Sequence, residues 1–142
     1  MSYGPGASVK LWQKLIPKAK RWEAEFDGTC VDEARRKGQL EGTLVGDQEN
    51  KTVLNQWVDQ SGGGHFDVII DDGGHHNCQI FNSFITFWPL QQPGGLYFID
   101  DLQVSKVRPF SGRVDERGNE TIMVNIVKDW IELLIDNRVF GK

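Results

Sequence analysis

The sequence predicts an α/β fold, with a mostly parallel sheet of about four strands flanked by helices. Three observations carry this reading. Strand-like and helix-like patterns alternate along the chain, as they do in βαβ units. The run Phe66-Asp67-Val68-Ile69-Ile70 is continuous and rich in β-branched residues, the pattern of a strand buried on both faces. The third is size: 142 residues, 39% of them hydrophobic, with five Trp and eight Phe, fill one core and not two. A single domain over residues 1–142 is therefore expected.

The elements follow in order. Ser8 precedes Val9–Ile16, an amphipathic helix with Leu11, Trp12, Leu15 and Ile16 on one face, stopped by Pro17. Trp22–Phe26 alternates, placing Trp22, Ala24 and Phe26 on one half-buried strand face. Asp32–Lys37 is a polar helix closed by Gly38, and Thr43-Leu44-Val45 a short strand that stops at Gly46-Asp47-Gln48. Thr52 caps a helix with Val53, Leu54, Trp57 and Val58 inward, and Ser61-Gly62-Gly63-Gly64 breaks it. After the Phe66 strand comes a helix with Ile80, Phe81, Phe84, Ile85 and Trp88, ended by Pro89. Pro93-Gly94-Gly95 then turns into a second buried strand, Leu96–Ile99; residues 103–118 form a loop, and 121–137 a last helix carrying Ile122, Ile126, Trp130 and Leu134. The sum is Rossmann-like.

Composition excludes several classes. A charged fraction of 25% with ample aromatics is not that of a disordered chain. The net charge of −4 argues against nucleic acid as a partner. No apolar run reaches the roughly 18 residues of a membrane span. Cys30 and Cys78 lack a C-x-x-C partner, so no zinc knuckle or disulfide framework is indicated. The first residues, Met-Ser-Tyr-Gly-Pro-Gly, do not have a signal-peptide layout, and a cytoplasmic location is expected.

Chemistry should sit beyond the carboxyl ends of the strands, and acids stand at all four. Glu25 and Asp27 follow the first, Asp47 the second, Asp71-Asp72 the third and Asp100-Asp101 the fourth. A single acid in such a place is commonly a helix cap. Two doublets on adjacent strands repel one another unless a cation lies between them, and oxygen ligation selects Mg²⁺, Ca²⁺ or Mn²⁺. The alternative is that Asp71 or Asp100 binds backbone amides. His75, three residues after Asp72, has the side chain of a general base near neutral pH, whereas His76 reads as a cap or surface residue. Gly4-Pro5-Gly6-Ala7-Ser8 enters a helix N-terminus suited to a carboxylate or phosphate.

Phe66–His75 together with Pro93–Leu102 resembles the class I S-adenosylmethionine-dependent methyltransferases. Within these the chain is most similar to the Mg²⁺-dependent macrolide-sugar O-methyltransferases (mycinamicin and macrocin type) and to cephalosporin-hydroxylase-like proteins. Gly46-Asp47-Gln48 and the segment from Gly6 to Trp12 fit the same pattern. The resemblance implies Asp72, Asp100 and Asp101 as Mg²⁺ ligands and His75 as the base that deprotonates a substrate hydroxyl. It implies Glu25, or Asp27 as second choice, at the cofactor ribose, Asp47 and Gln48 on the adenine side, and Asp71 at the cofactor edge. Gly4, Gly6 and Ser8 would face the methionine end. It further implies a hydroxylated small-molecule acceptor and self-association into a homo-oligomer.

Against the family pattern, the strand expected before the glycine turn and the C-terminal antiparallel strand pair are not found. The first would lie between the Glu25 and Asp72 strands, so the two neighbours are expected either to leave a gap or to pair directly. Two functions follow: an S-adenosylmethionine- and Mg²⁺-dependent O-methyltransferase domain, or a non-catalytic methyltransferase-like module whose open sheet edges pair with a partner. A phosphoacceptor receiver fits poorly, because its paired acids follow the first strand, and here they follow late ones.

Overall fold

The structure, a computed structural model, describes residues 7–38, 42–107 and 123–136. Five α-helices and four strands alternate among them: α1 (Ala7–Leu15), β1 (Glu23–Glu25), α2 (Gly28–Arg36), β2 (Thr43–Val45), α3 (Lys51–Ser61), β3 (Phe66–Asp71), α4 (Asn77–Phe87), β4 (Gln91–Ile99) and α5 (Met123–Ile135). A 3-10 turn over Trp88–Leu90 follows α4, and another over Leu102–Lys106 follows β4. The α/β class is as expected. No helix among the described residues is long and apolar enough to cross a membrane.

The four strands form two parallel pairs, β1 with β2 and β3 with β4, and not one four-stranded sheet. Of the two arrangements foreseen for the middle of the sheet, this is the gap. Glu23 lies opposite Thr43 and Glu25 opposite Val45. In the second pair Val68 faces Leu96 and Asp71 faces Ile99.

Local chemistry explains the boundaries that differ from expectation. Asp27 accepts from the amides of Thr29 and Cys30, so α2 begins at Gly28 instead of Asp32. Asn50, not Thr52, caps α3, and Gly62 closes it with φ 102. Ser8 lies inside α1, and Leu11, Trp12 and Leu15 on this helix are exposed, as is Ile16 just past its end. Pro93-Gly94-Gly95 lies within β4, where the register slips between Phe66↔Gln91 and Val68↔Leu96. Gly95 is needed there: a Cβ would stand about 3.0 Å from the carbonyl oxygens of Asp67 and Gln92.

The expectation that β3 and β4 are buried on both faces is overturned. Val68 and Ile70 on β3, and Leu96 and Phe98 on β4, are all about half exposed. A β-branched run reports strand propensity on either face, and here only one face is covered. Phe26 likewise is 72% exposed and does not share a half-buried face with Trp22.

The cores lie on the covered sides. Leu44, Leu54 and Trp57 are buried together, with Trp22, Val53 and Phe87 packed against them. Phe84 gathers Trp88, Tyr97 and Trp130 at ring-centre distances of 5.2, 5.1 and 4.8 Å, joining α4, β4 and α5. Asn77, fully buried at the start of α4, donates to the Ser105 carbonyl at 2.7 Å and accepts from the Met123 amide at 2.6 Å. That one side chain ties α4 to the turn after β4 and to α5.

Candidate metal and cofactor site

The site grows out of the β3–β4 ladder. The Asp100 amide donates to the Asp71 carbonyl at 2.9 Å, continuing the pairing one residue past the end of β4. Parallel neighbours finish on the same edge, so the segments that follow, Asp72–His75 and Asp100–Asp101, must meet. They do so through an uncommon backbone. His75 (φ 58) and Asp101 (φ 50) both take the left-handed conformation, which side chains other than glycine rarely adopt. Such strain persists only where the surroundings impose it, and it clusters at functional sites.

The result is a convergence of Asp72, His75 and Asp101, whose ligand atoms all lie within 4.8 Å of one another. His75 Nε2 is 4.0 Å from an Asp72 oxygen and 3.8 Å from an Asp101 oxygen. His75 is partly buried and both acids are exposed, so the group opens to solvent on one side. Two carboxylates and an imidazole suit a hard or borderline divalent ion. Adjacent octahedral ligands of Mg²⁺, each at about 2.1 Å, stand about 3 Å apart. The two carboxylates fit such an ion after closing by up to about 2 Å, or through water, with the imidazole beside it.

Asp100 is not part of this group. Its Oδ1 accepts from the Asp101 amide at 2.8 Å, the backbone-binding alternative foreseen for it. Asp71 points the other way, into the protein. Its Oδ1 accepts from Gln48 Nε2 at 2.6 Å and its Oδ2 from the Tyr97 hydroxyl at 3.3 Å. Burial pushes the Asp71 carboxyl above its usual range, against the opposing effect of these hydrogen bonds. Burial, followed by the neighbouring Asp71 charge, pushes the Tyr97 phenol well above its ordinary value as well.

Near β1 and β2 the acids are engaged locally. Glu25 Oε1 accepts from the Phe26 amide at 2.8 Å and the Asp27 amide at 3.3 Å. Asp27 caps α2, and Asp47 Oδ1 accepts from the Glu49 amide at 2.8 Å. Ser8 is exposed on α1, whereas Gly4 and Gly6 lie outside the described residues. His76 is the N-cap residue of α4, as expected. Sequence reasoning missed the joint role of Gln48 and Tyr97. The signal available was a polar residue opposite the Asp doublet in each neighbouring element, and no spacing rule singles that out.

The order of strands and helices is that of a Rossmann-like α/β fold, and its likeness to solved methyltransferase structures makes it a class I methyltransferase-type fold. Within that class the chain resembles the sugar O-methyltransferases of antibiotic biosynthesis. It is 29% identical over 130 residues to the mycinamicin VI 2''-O-methyltransferase of Micromonospora griseorubida, covering 91% of this chain and 31% of that protein. It is 30% identical over 111 residues to the 8-demethyl-8-alpha-L-rhamnosyl tetracenomycin-C 2'-O-methyltransferase of Streptomyces olivaceus, covering 78% of this chain and 28% of that one. Among solved structures it superposes on the MycE methyltransferase in complex with Mg, SAH and mycinamycin VI, with a TM-score of 0.71 and 28% identity, over 97% of this chain and 36% of that one. The chain thus spans about a third of the length of the curated relatives it matches. No protein-family model matches it.

Proposed function

We propose that this chain, as a single methyltransferase-type domain, forms the S-adenosylmethionine- and Mg²⁺-binding part of an O-methyltransferase acting on a hydroxyl of a sugar or other small molecule. The observation that carries the reading is the meeting of Asp72, His75 and Asp101 beyond the ends of β3 and β4. Asp72 and Asp101 would hold the ion, with Asp100, one residue away, able to offer a further oxygen in place of its bond to the Asp101 amide. Mg²⁺ held there supplies positive charge that makes a neighbouring hydroxyl more acidic. His75 sits beside both carboxylates, where Nε2 takes the hydroxyl proton while the freed oxygen attacks the methyl carbon. A carbon–oxygen bond forms, the carbon–sulfur bond breaks, and S-adenosylhomocysteine leaves with the electron pair on sulfur. The methyl group is already activated by the sulfonium charge, so the protein positions the reactants and moves the proton.

Glu25, or Asp27 as the second choice, stands after β1 for the cofactor ribose, and Asp47 and Gln48 stand after β2 for the adenine side. Ser8 and the glycines before it stand for the methionine end. The assembly acts as a cytoplasmic homo-oligomer, in keeping with the apolar surface exposed on α1 and on the open sheet face.

The reading is tested by calorimetric titration of S-adenosylmethionine into the chain with and without Mg²⁺. Saturable binding, followed by methyl transfer to a hydroxylated sugar that requires Mg²⁺, is the expected result. A chain that melts cooperatively yet binds neither ligand would replace this reading with a non-catalytic module.

A further inference from the structure

Resting on the reading above, we infer that Gln48 is a positioning residue for the metal-binding loop. Its carboxamide clamps Asp71 and Gly74, fixing the turn from which Asp72 and His75 project. Gln48 follows β2, while the loop it holds follows β3. Its Nε2 donates to Asp71 Oδ1 at 2.6 Å, and its Oε1 accepts from the Gly74 amide at 3.2 Å. The two partners dictate the orientation of the amide, because a carboxylate only accepts and a backbone N–H only donates. Among side chains of this length only the carboxamide offers a donor and an acceptor in one plane without first taking up a proton.

Two further observations point the same way. A Cβ built on Gly73 would overlap Gln48 Oε1, so the glycine leaves room for the carboxamide. From another side Tyr97 of β4 donates to Asp71 Oδ2 at 3.3 Å, so the carboxyl just ahead of Asp72 is held both by the loop after β2 and by β4. Asp72 begins one residue after this clamp and His75 one residue after Gly74. His75 has a left-handed backbone, which needs such an external hold. Gln48 therefore acts through the loop and not by touching the ion. It also joins the cofactor-side loop after β2 to the metal side after β3, so the two sites share one support.

The test uses Gln48→Met, which keeps size and neutrality but removes both hydrogen bonds, and Gly73→Ala, which displaces the carboxamide from the other side. Two quantities are read: Mn²⁺ affinity by electron paramagnetic resonance, and amide hydrogen exchange by NMR in the metal-free chain. The Gly74 amide should exchange about tenfold faster or more in either variant, while the Leu54 amide in α3 keeps its wild-type rate. Mn²⁺ affinity should fall about 10–100-fold, the usual loss when a residue orienting a ligand is removed. Unchanged Gly74 exchange, or faster exchange with undiminished Mn²⁺ affinity, overturns the inference. If the wild-type chain binds no Mn²⁺, the proposed function fails, and Gly74 exchange alone then decides whether Gln48 holds the loop. Should Gln48→Met not fold, Gly73→Ala carries the same readouts.

Discussion

The ends of β1 and β2 and the ends of β3 and β4 carry the same residue type in equivalent places, yet the acids do different work. Glu25, Asp27 and Asp47 each turn back on the next few amides of their own segment. Asp72 and Asp101 come from different segments and converge with His75. What separates the two regions is the backbone after the strand. Beyond β1 the chain enters α2 at once, and a carboxylate there satisfies free helix-start amides. Beyond β3 it passes through Gly73, Gly74 and the left-handed His75 before α4, and beyond β4 through the left-handed Asp101 before the 3-10 turn, and these turns bring Asp72 and Asp101 toward one another. An acid at a strand end is therefore informative only together with the turn that follows it.

Removing the packing beneath one region should break the contrast most severely. Leu54→Ala opens a cavity in the fully buried core under β2, and should cost about 2–5 kcal/mol in denaturant unfolding. In the other region, Asn77→Ala leaves the Ser105 carbonyl and the Met123 amide unpaired in the interior. A loss of about 1–3 kcal/mol is expected by the same measurement, with hydrogen exchange rising first in α5. Asp27→Ala should remove about 1 kcal/mol of stability by uncapping α2, and leave Mn²⁺ affinity as it was.

The smallest effect sharpens the comparison through pH. Tyr97 is neutral in the folded chain well above its ordinary value of 10.0, because burial and the Asp71 charge oppose ionisation. A folded state that prefers the neutral phenol keeps its full stability below the unfolded value. It loses stability as pH rises past that value toward the folded one. Unfolding curves should show a decline above about pH 10 that Tyr97→Phe lacks. The absorbance of the phenolate at alkaline pH should also be the same in the folded variant as in the folded wild type.

The portions of the site legible in the sequence were those written in consecutive residues. Asp71-Asp72-Gly73-Gly74-His75 and Asp100-Asp101 are each readable as the end of a strand, and parallel pairing brings them together. In the first doublet the resemblance singles out Asp72 over Asp71 as the ligand, whereas in the second it names both, and the residues alone do not say which of Asp100 and Asp101 faces the group. Asp72 and Asp101 face it, whereas Asp71 turns to Gln48 and Tyr97 and Asp100 to a backbone amide. That choice depends on strand parity and on the left-handed turn at Asp101, and composition records neither. The role of Gln48 was hidden for a related reason: it acts across 23 residues on a partner of another strand. The exposed faces of Val68, Ile70, Leu96 and Phe98 were misread because the same side chains favour a strand whether or not anything covers it.

The central claim, that equivalent acids are divided between capping and ion binding, is tested most directly by Mg²⁺ titration calorimetry on two isosteric variants. Asp101→Asn removes one charge from the converging group. Asp27→Asn exchanges one good helix cap for another. The account predicts that Asp101→Asn weakens Mg²⁺ binding by about tenfold or more, while Asp27→Asn binds as the wild type does. Equal affinity in both variants would contradict it.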